Sequence, residues 1–328
     1  MKNIAVVFTG GTISMKVDER ISAAIPMMSS EEIMSMIHNI DKVANIREVK
    51  FGSYPGPHMN IDRLIELRKV VNDLVNDAKI DGVVITHGTD SLEETAFFLD
   101  LSIDTVKPIV VVGAMRNGSE LGYDGPSNLS SAICTAQSDS AKNMGVLIVM
   151  NNEVNPASEV TKTHTMALDT FKSMEFGPLG IVDNDEVIFY RKPIKHSLIG
   201  MVMPSEKVYL IKACTGSNSD LINYLVDMGA EGIVIEAMGR GNVPPEMLSG
   251  IKNAIDKNVV IVIVSRCPLG RVADSYGYVG GGKTISNMGA IFASNLNGQK
   301  ARIKLMLALG SSSDINKIKE YFSIEMSC

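Results

Sequence analysis

Two stretches of the sequence decide the fold. Residues 4–14 are Ile-Ala-Val-Val-Phe-Thr-Gly-Gly-Thr-Ile-Ser, and residues 82–91 are Gly-Val-Val-Ile-Thr-His-Gly-Thr-Asp-Ser. Each begins with a short β-branched run, which predicts a buried strand, and continues into a turn of glycine and hydroxyl residues. Apolar runs of this kind alternate with helical patterns along the chain, as is typical of parallel strands joined by helical crossovers. The fold class is therefore α/β.

The pattern also predicts two domains. Strands are expected at Ile4–Phe8, Ile46–Phe51, Gly82–Thr86, Ile109–Val112, Val146–Met150, Val208–Lys212, Gly232–Glu236, Val259–Ser265 and Ala290–Ala293. Between the fifth and sixth of them, residues 191–206 break the pattern with two prolines and several cations, which indicates a linker. We expect a larger N-terminal domain, residues 1–190, with about five strands in a doubly wound, flavodoxin-like, mostly parallel sheet. A smaller C-terminal α/β domain with about four strands is expected over residues 207–328.

Composition excludes several classes of protein. With 45% hydrophobic and 21% charged residues, the chain is neither disordered nor fibrous. No apolar run is long enough for a transmembrane helix or a signal peptide, which predicts a cytoplasmic protein. A net charge of −6 without a basic block offers no surface for nucleic acid or an anionic membrane, so the expected partner is a small molecule. The cysteines and histidines show no metal-ligand spacing, and neither a metal nor another cofactor is predicted.

The turns after the first and third strands are the candidate site. Ligands of doubly wound sheets bind at the carboxyl ends of the strands, where the strand order reverses, and in the order 2-1-3-4-5 that point lies between these two strands. Thr12, Thr89 and Asp90 are therefore expected to face one crevice. Glycines beside both threonines allow sharp turns and a close approach to a ligand. Ser91 and Glu94 form a capping-box pattern, so a helix should begin there with its N–H groups directed at the crevice.

A third candidate segment, Val-Thr-Lys-Thr-His-Thr at residues 160–165, follows the fifth strand. A lysine in a cleft can act as a base, whereas a lysine in a polar loop is ordinarily solvated surface. Lys162 matters only if it folds back beside Thr89 and Asp90.

These three segments together resemble the two signature motifs and the lysine motif of the bacterial-type L-asparaginases. The resemblance continues through Gly-Ala-Met-Arg at residues 113–116 and Gly-Gln-Lys-Ala-Arg at residues 298–302. It implies a homotetramer of tight dimers that hydrolyses a side-chain amide to carboxylate and ammonia without a cofactor, with free L-asparagine as the leading substrate.

The resemblance also implies a role for each site residue. Thr12 would be the nucleophile that forms an acyl-enzyme, and Lys162 would be the base or proton relay for Thr89. The sequence leaves open which threonine attacks first, because both occupy equivalent positions around the same crevice. Asp90 would also bind the substrate ammonium, and backbone N–H groups near Thr12 and Thr89 would hold the oxyanion. Substrate contacts are expected from Gly11, Gly56, Pro57, Gly88, Ala114 and, from a neighbouring subunit, Asn242.

The sequence departs from the family where the substrate is recognised. Relatives usually have a serine at the position of Gly56, whose hydroxyl binds the substrate α-carboxylate, and many have a tyrosine within the stretch that is residues 13–30 here, where this chain has none. Loss of one charge-assisted hydrogen bond costs about 1.5–3 kcal/mol, roughly ten- to hundred-fold in affinity. Ser53 or Tyr54 could compensate. Glutamine or another amide is therefore an alternative substrate, and a non-catalytic amino-acid-binding protein is an alternative function.

A rival motif lies at residues 277–284, Gly-Tyr-Val-Gly-Gly-Gly-Lys-Thr, which match the phosphate-loop pattern of nucleotide hydrolases. A phosphate loop follows a strand directly and opens a full helix, whereas here eleven residues separate Ser265 from Gly277. We interpret the segment as a flexible or interface loop.

Overall fold

The computed structural model describes residues 1–37, 40–194 and 198–323. The chain divides into two compact units, Met1–Pro193 and a second that begins at Ile194. Residues 195–197 of the expected linker lie outside the described residues, and the domain boundaries stay a prediction.

The first unit contains twelve strands and five α-helices among its described residues. The strands are β1 (Asn3–Gly10), β2 (Met15–Asp18), β3 (Ala23–Pro26), β4 (Asn45–Tyr54), β5 (Gly82–Thr86), β6 (Ile109–Val112), β7 (Val146–Met150), β8 (Glu153–Pro156), β9 (Thr161–Lys162), β10 (Phe171–Lys172), β11 (Gly180–Asp183) and β12 (Glu186–Phe189). The helices are α1 (Ser30–Ser35), α2 (Ile40–Val43), α3 (Ile61–Asn76), α4 (Leu92–Ser102) and α5 (Gly125–Gln137).

One eight-stranded sheet organises this unit, in the order β12-β11-β8-β7-β6-β5-β1-β4. Five neighbouring strands, β4, β1, β5, β6 and β7, run parallel. Numbered along the chain, their order is 2-1-3-4-5, so the predicted doubly wound, mostly parallel sheet is confirmed. Phe8 of β1 lies opposite Lys50 of β4 and Thr86 of β5. The carboxyl ends of these three strands therefore meet at one edge of the sheet.

The expectation of about five strands was too low, because β8, β11 and β12 extend the sheet by antiparallel pairing. Each is only four residues long, and β8 reads Glu-Val-Asn-Pro, so it shows no clear apolar run or alternation. Two further two-stranded hairpins, β2–β3 and β9–β10, were also missed. Short strands of mixed composition are specified by the chain they pair with rather than by their own residues.

The long helix α3 begins directly after Asn60. The Asn60 side chain accepts a hydrogen bond from the Arg63 N–H at 3.0 Å, which caps the first turn. Its apolar face is buried, with Leu67 and Val71 fully inaccessible. Full burial of such a side chain contributes about 1.5–3 kcal/mol, so this face fixes the helix against the unit's core.

The second unit is the smaller α/β domain that the sequence predicts. Its parallel sheet has the order β13 (Val208–Lys212), β14 (Gly232–Ala237), β15 (Val260–Ser265) and β16 (Ile291–Phe292). Its helices are α6 (Asp220–Asp227), α7 (Leu248–Asp256), α8 (Gly282–Met288), α9 (Gly298–Ser311) and α10 (Ile315–Phe322). Within the described part of the chain, no helix combines the length and the apolar character needed to cross a bilayer.

His87 connects the end of β5 to α4 inside the first unit. The imidazole is fully buried; its Nδ1 lies 2.9 Å from the Gly88 carbonyl oxygen, and its Nε2 lies 2.9 Å from the Thr95 hydroxyl. Because a carbonyl can only accept, Nδ1–H donates to Gly88 and Nε2 accepts from Thr95. Desolvation lowers the pKa of His87 to about 4, with the Gly88 hydrogen bond opposing part of that shift. The ring is therefore neutral at physiological pH and fixes the turn after β5.

This burial predicts acid-dependent stability. An unfolded histidine takes up its proton near pH 6.5, whereas folded His87 takes it up only near pH 4, so the unfolded state binds the proton first as the pH falls. Between those pH values the free energy of unfolding should fall by about 3 kcal/mol on account of His87. His87→Gln keeps a donor and an acceptor but does not titrate, so urea denaturation should show a shallower pH dependence.

His58→Gln provides the control for replacing a histidine by glutamine as such, because His58 is exposed. Identical slopes for His87→Gln and the wild type would contradict a neutral, buried His87.

Candidate active site

Three loops meet at the carboxyl edge of the large sheet through their backbones. A Cβ atom built on Gly11 would lie 2.4 Å from the Gly88 nitrogen, and one on Gly88 would lie 2.5 Å from the Gly56 nitrogen. Neither leaves room for a side chain. These contacts bring the turn that carries Thr12 against the turn that carries Thr89.

Three hydrogen bonds reinforce the contact. The Gly11 N–H donates to the Tyr54 carbonyl at 2.9 Å, and the Thr9 hydroxyl donates to the Thr86 carbonyl at 2.6 Å. The Ser91 hydroxyl donates to the Gly56 carbonyl at 2.7 Å. The loops after β1, β4 and β5 are thus joined pairwise.

The predicted capping box at Ser91 was wrong, although α4 does begin at the following residue. Ser91 makes no side-chain cap hydrogen bond, because its hydroxyl donates to the Gly56 carbonyl of another loop. A local motif was outweighed by a contact between residues far apart in sequence.

Thr12 opens a 3₁₀ turn over Thr12–Ser14. The preceding Gly11 has φ 86°, a left-handed conformation that favours glycine, and its carbonyl accepts from both the N–H and the hydroxyl of Ser14, at 3.0 and 2.9 Å. Thr12 itself is half-buried, and among the described residues its hydroxyl has no hydrogen-bond partner. The backbone of the turn is therefore fixed by hydrogen bonds, whereas the Thr12 hydroxyl is available to bind a ligand.

The structure brings Lys162 to Thr89 and Asp90. The ammonium Nζ lies 3.0 Å from the Thr89 hydroxyl and 2.8 Å from Asp90 Oδ1. Thr89 is buried, the Lys162 side chain is 19% exposed and the Asp90 side chain is 63% exposed. The ammonium is therefore largely withdrawn from solvent, whereas the carboxylate opens outward.

Lys162 is held by the β9–β10 hairpin, in which it pairs with Phe171. The buried Thr170 hydroxyl closes the hairpin: it accepts from the His164 N–H at 2.7 Å and donates to the His164 carbonyl at 2.5 Å. Sequence reasoning missed Thr170, because its partner lies across a loop that no periodic pattern marks.

The remaining predicted site residues lie in different surroundings. Ala114 is fully buried after β6, and the Asp124 carboxylate accepts from the two N–H groups that follow, those of Met115 and Arg116. Pro57 is exposed beside Gly56. Asn242 belongs to the second unit, where its side chain accepts from the Gly282 N–H at 3.1 Å.

Tyr54 is one suggested replacement for the missing serine hydroxyl, and its aromatic ring packs between two other residues. Its ring lies over Gly52 and under the Arg63 guanidinium, whose central carbon is 4.1 Å from the ring centroid. Ser53, the other suggested replacement, is exposed near the end of β4.

Residues 277–284 lack the features of a phosphate loop. They open α8, which is only seven residues long. The Lys283 ammonium pairs with Asp274 at 2.9 Å, and the Thr284 hydroxyl donates to the Tyr278 carbonyl at 3.0 Å. The cation and hydroxyl that would bind phosphate are both used inside the loop. Within the described ranges, no group of three or more His, Cys, Asp or Glu side chains is arranged to hold a metal ion.

Comparison with known proteins matches almost the whole chain to one protein family. The model of the asparaginase N-terminal domain matches residues 3–195, and that of the glutaminase/asparaginase C-terminal domain matches residues 207–322. An L-asparaginase from Bacillus licheniformis is 35% identical, over 94% of this chain and 96% of that protein. A probable periplasmic L-asparaginase from Haemophilus influenzae is 36% identical, over 98% and 93%. The crystal structure of a probable cytoplasmic L-asparaginase from Campylobacter jejuni superposes with a TM-score of 0.89 at 34% identity, covering 98% of this chain and 99% of that one.

The backbone contact at Gly88 predicts a large stability cost for a single methyl group. Gly88→Ala places a Cβ against the Gly56 backbone and should lower the free energy of unfolding by about 2–3 kcal/mol, since overpacking forces the backbone to shift. Gly277→Ala is the control, because no atom lies within 4 Å of its added Cβ and neither glycine has a positive φ. We expect the control to change stability by less than about 0.5 kcal/mol in urea denaturation. Equal effects of the two substitutions would refute the contact.

Proposed function

Because the chain belongs to the asparaginase family and is an asparaginase-type amidohydrolase, we propose that it hydrolyses the side-chain amide of L-asparagine to L-aspartate and ammonia. The observation that carries the proposal is the contact of Lys162 with Thr89 and Asp90, next to the turn that holds Thr12. A nucleophilic hydroxyl, a proton carrier and a carboxylate are the parts that amide hydrolysis needs.

Thr12 is the proposed nucleophile. Its hydroxyl oxygen forms a bond to the amide carbon, the carbon–nitrogen bond breaks, and ammonia leaves with the proton from the hydroxyl. Water then attacks the resulting acyl-enzyme, releasing the acid and returning the proton to Thr12. The half-buried hydroxyl without a partner among the described residues supports this role, since nothing within the described protein must be displaced before it attacks.

Thr89 and Lys162 are the proposed proton relay. At 3.0 Å the lysine amine can exchange a proton with the Thr89 hydroxyl, which in turn can accept one from the attacking water. Asp90 Oδ1 holds the ammonium in place at 2.8 Å. Because the Asp90 side chain is mostly exposed, its other oxygen can bind the ammonium group of an amino-acid substrate.

The oxyanion is assigned to backbone N–H groups beside Gly11 and Gly88. Donors fixed in a rigid backbone stabilise developing charge without reorganising during the reaction. The direct backbone contact between these segments supports the assignment, because it fixes the two turns against each other.

The substrate is less narrowly defined than the reaction. The loop at Gly56 and Pro57 offers no hydroxyl for a substrate α-carboxylate, and the Tyr54 ring is stacked with Arg63. Glutamine or another amide is therefore the alternative substrate, and an amino-acid-binding protein without turnover is the alternative function.

We propose in addition that the protein is a cytoplasmic homotetramer and that Asn242 contributes to the site of a neighbouring subunit. Exposed Tyr276, Tyr278 and Val279, in the loop before α8, support an association surface.

Ammonia release distinguishes these functions. We expect release from at least one of asparagine, glutamine and a panel of other amides, and its loss in Thr12→Ala and in Thr89→Val, because each removes a reacting hydroxyl. Tight amino-acid binding without any release would favour the binding protein. Nucleotide hydrolysis that disappears in Lys283→Ala would instead favour the phosphate-loop enzyme.

The relay predicts a large effect at Lys162. Lys162→Met keeps the length and apolar stem of the side chain but removes the amine, so turnover should fall by about 10²-fold or more with little change in melting temperature. Lys172→Met is the matched control on the same hairpin, since that ammonium pairs with Glu153 at 2.9 Å. Near-normal turnover of Lys162→Met, or an equal loss in both variants, would rule out the relay.

A further inference from the structure

Tyr123 reaches the Thr12 turn from a different loop. It belongs to residues 113–124, which connect β6 to α5, and its hydroxyl donates to the Ile13 carbonyl. The ring is half-buried over Gly125, where an added Cβ would lie 2.4 Å from the ring and its hydroxyl oxygen. Tyr123 thus contacts the carbonyl of the residue that follows Thr12, although the two bonded residues are 110 positions apart in sequence.

The bond completes the hydrogen bonding of the turn. The Gly11 carbonyl accepts from Ser14, and the Thr12 carbonyl accepts from the Met15 N–H. Both of those bonds are local to the turn. The Ile13 carbonyl accepts from Tyr123, and the Ser14 carbonyl accepts from the Met27 and Met28 N–H groups, so the last two carbonyls of the turn depend on donors outside it.

The same loop holds the segment that follows the turn. The Gly118 N–H donates to the Met15 carbonyl at 2.8 Å, and the Ser119 hydroxyl accepts from the Val17 N–H at 3.0 Å. Together with Tyr123, these bonds engage alternate residues of the chain from Ile13 to Val17. The opposite end of the loop, Asp124, accepts from the backbone that follows Ala114. One loop therefore connects the Thr12 turn with the turn after β6.

We propose that Tyr123 is a positioning residue for Thr12: by binding the Ile13 carbonyl it fixes the Ile13–Ser14 peptide group of the turn that Thr12 opens, and so the direction of the Thr12 hydroxyl. The inference rests on the proposed role of Thr12 in amide hydrolysis. Tyr123 acts through the turn and does not touch the reacting atoms. Burial and the neighbouring charges of Asp124 and Glu32 raise the pKa of the Tyr123 phenol well above its usual range. The hydroxyl therefore remains a donor throughout any ordinary assay pH.

Tyr123→Phe tests the proposal, because it keeps the ring and removes only the donor. Misplacing a reacting group by a fraction of an ångström slows the chemical step more than it weakens binding, so we expect kcat for ammonia release to fall about ten-fold while KM changes by less than about two-fold. Ser119→Ala is the matched control: it removes a bond from the same loop to the same segment, but at Val17 rather than at the turn. We expect its kcat to stay within about two-fold of the wild type.

Hydrogen exchange of the backbone amides provides a readout that does not need activity. In Tyr123→Phe the amides of residues 14–17 should exchange faster, whereas those of α5 should keep their rates. If the wild type releases ammonia from no amide, the proposed function fails while exchange still decides whether Tyr123 holds the turn. Unchanged exchange and unchanged kcat would overturn the inference, as would an equal fall of kcat in Ser119→Ala or a change confined to KM.

Discussion

Direct backbone contact between the loops at Gly11, Gly56 and Gly88 is the constraint on which the site depends. Neighbouring strands of a sheet lie about 4.8 Å apart, and the loops that leave them separate unless something holds them together. Here the loops remain in contact because no side chain stands between them: a Cβ on Gly11 or Gly88 would come within 2.4–2.5 Å of the facing nitrogen. The distance between the two threonine turns is thereby set by the polypeptide backbone, which is the least adjustable part of the chain.

The charges around Thr89 follow from which of the neighbouring side chains are buried. His87 adjoins Gly88, yet its lowered pKa keeps it neutral, and it serves as a donor to one carbonyl and an acceptor from one hydroxyl. The positive charge beside Thr89 therefore comes from Lys162, which is paired with Asp90. A largely buried ammonium without a carboxylate would be costly, whereas a carboxylate with one outward oxygen can serve both the lysine and a cationic substrate group. The exposed Asp90 carboxylate thus stabilises the ammonium of the largely buried Lys162.

Periodic features of the sequence were sufficient to predict the frame of the fold. The parallel strands β1, β5, β6 and β7 consist mostly of β-branched and other apolar residues, and the switch point of the strand order lies at the turns of Thr12 and Thr89, as the sequence predicted. Local motifs were less reliable, as the hydroxyl of Ser91 shows by bonding to Gly56 instead of capping its helix. The residues that were missed, Tyr123 and Thr170, act through single bonds to partners brought near by the fold, and no spacing in the sequence records such a bond.

A common arrangement connects the three proposed catalytic side chains, Thr12, Thr89 and Lys162: each lies on a short turn or hairpin whose backbone is bound by one further side chain. His87 holds the peptide before Thr89, Thr170 closes the hairpin of Lys162, and Tyr123 binds the turn of Thr12. Such support matters because reacting groups must be held to within about 0.5 Å, and loops alone do not provide that accuracy. The loop at Gly56 differs, since it contributes backbone and no reactive side chain. The backbone of the proposed reacting groups is therefore closely fixed, whereas the loop proposed to face the rest of the substrate has no hydroxyl at Gly56 or Pro57. The architecture accordingly supports a reaction class more firmly than it supports a particular amide.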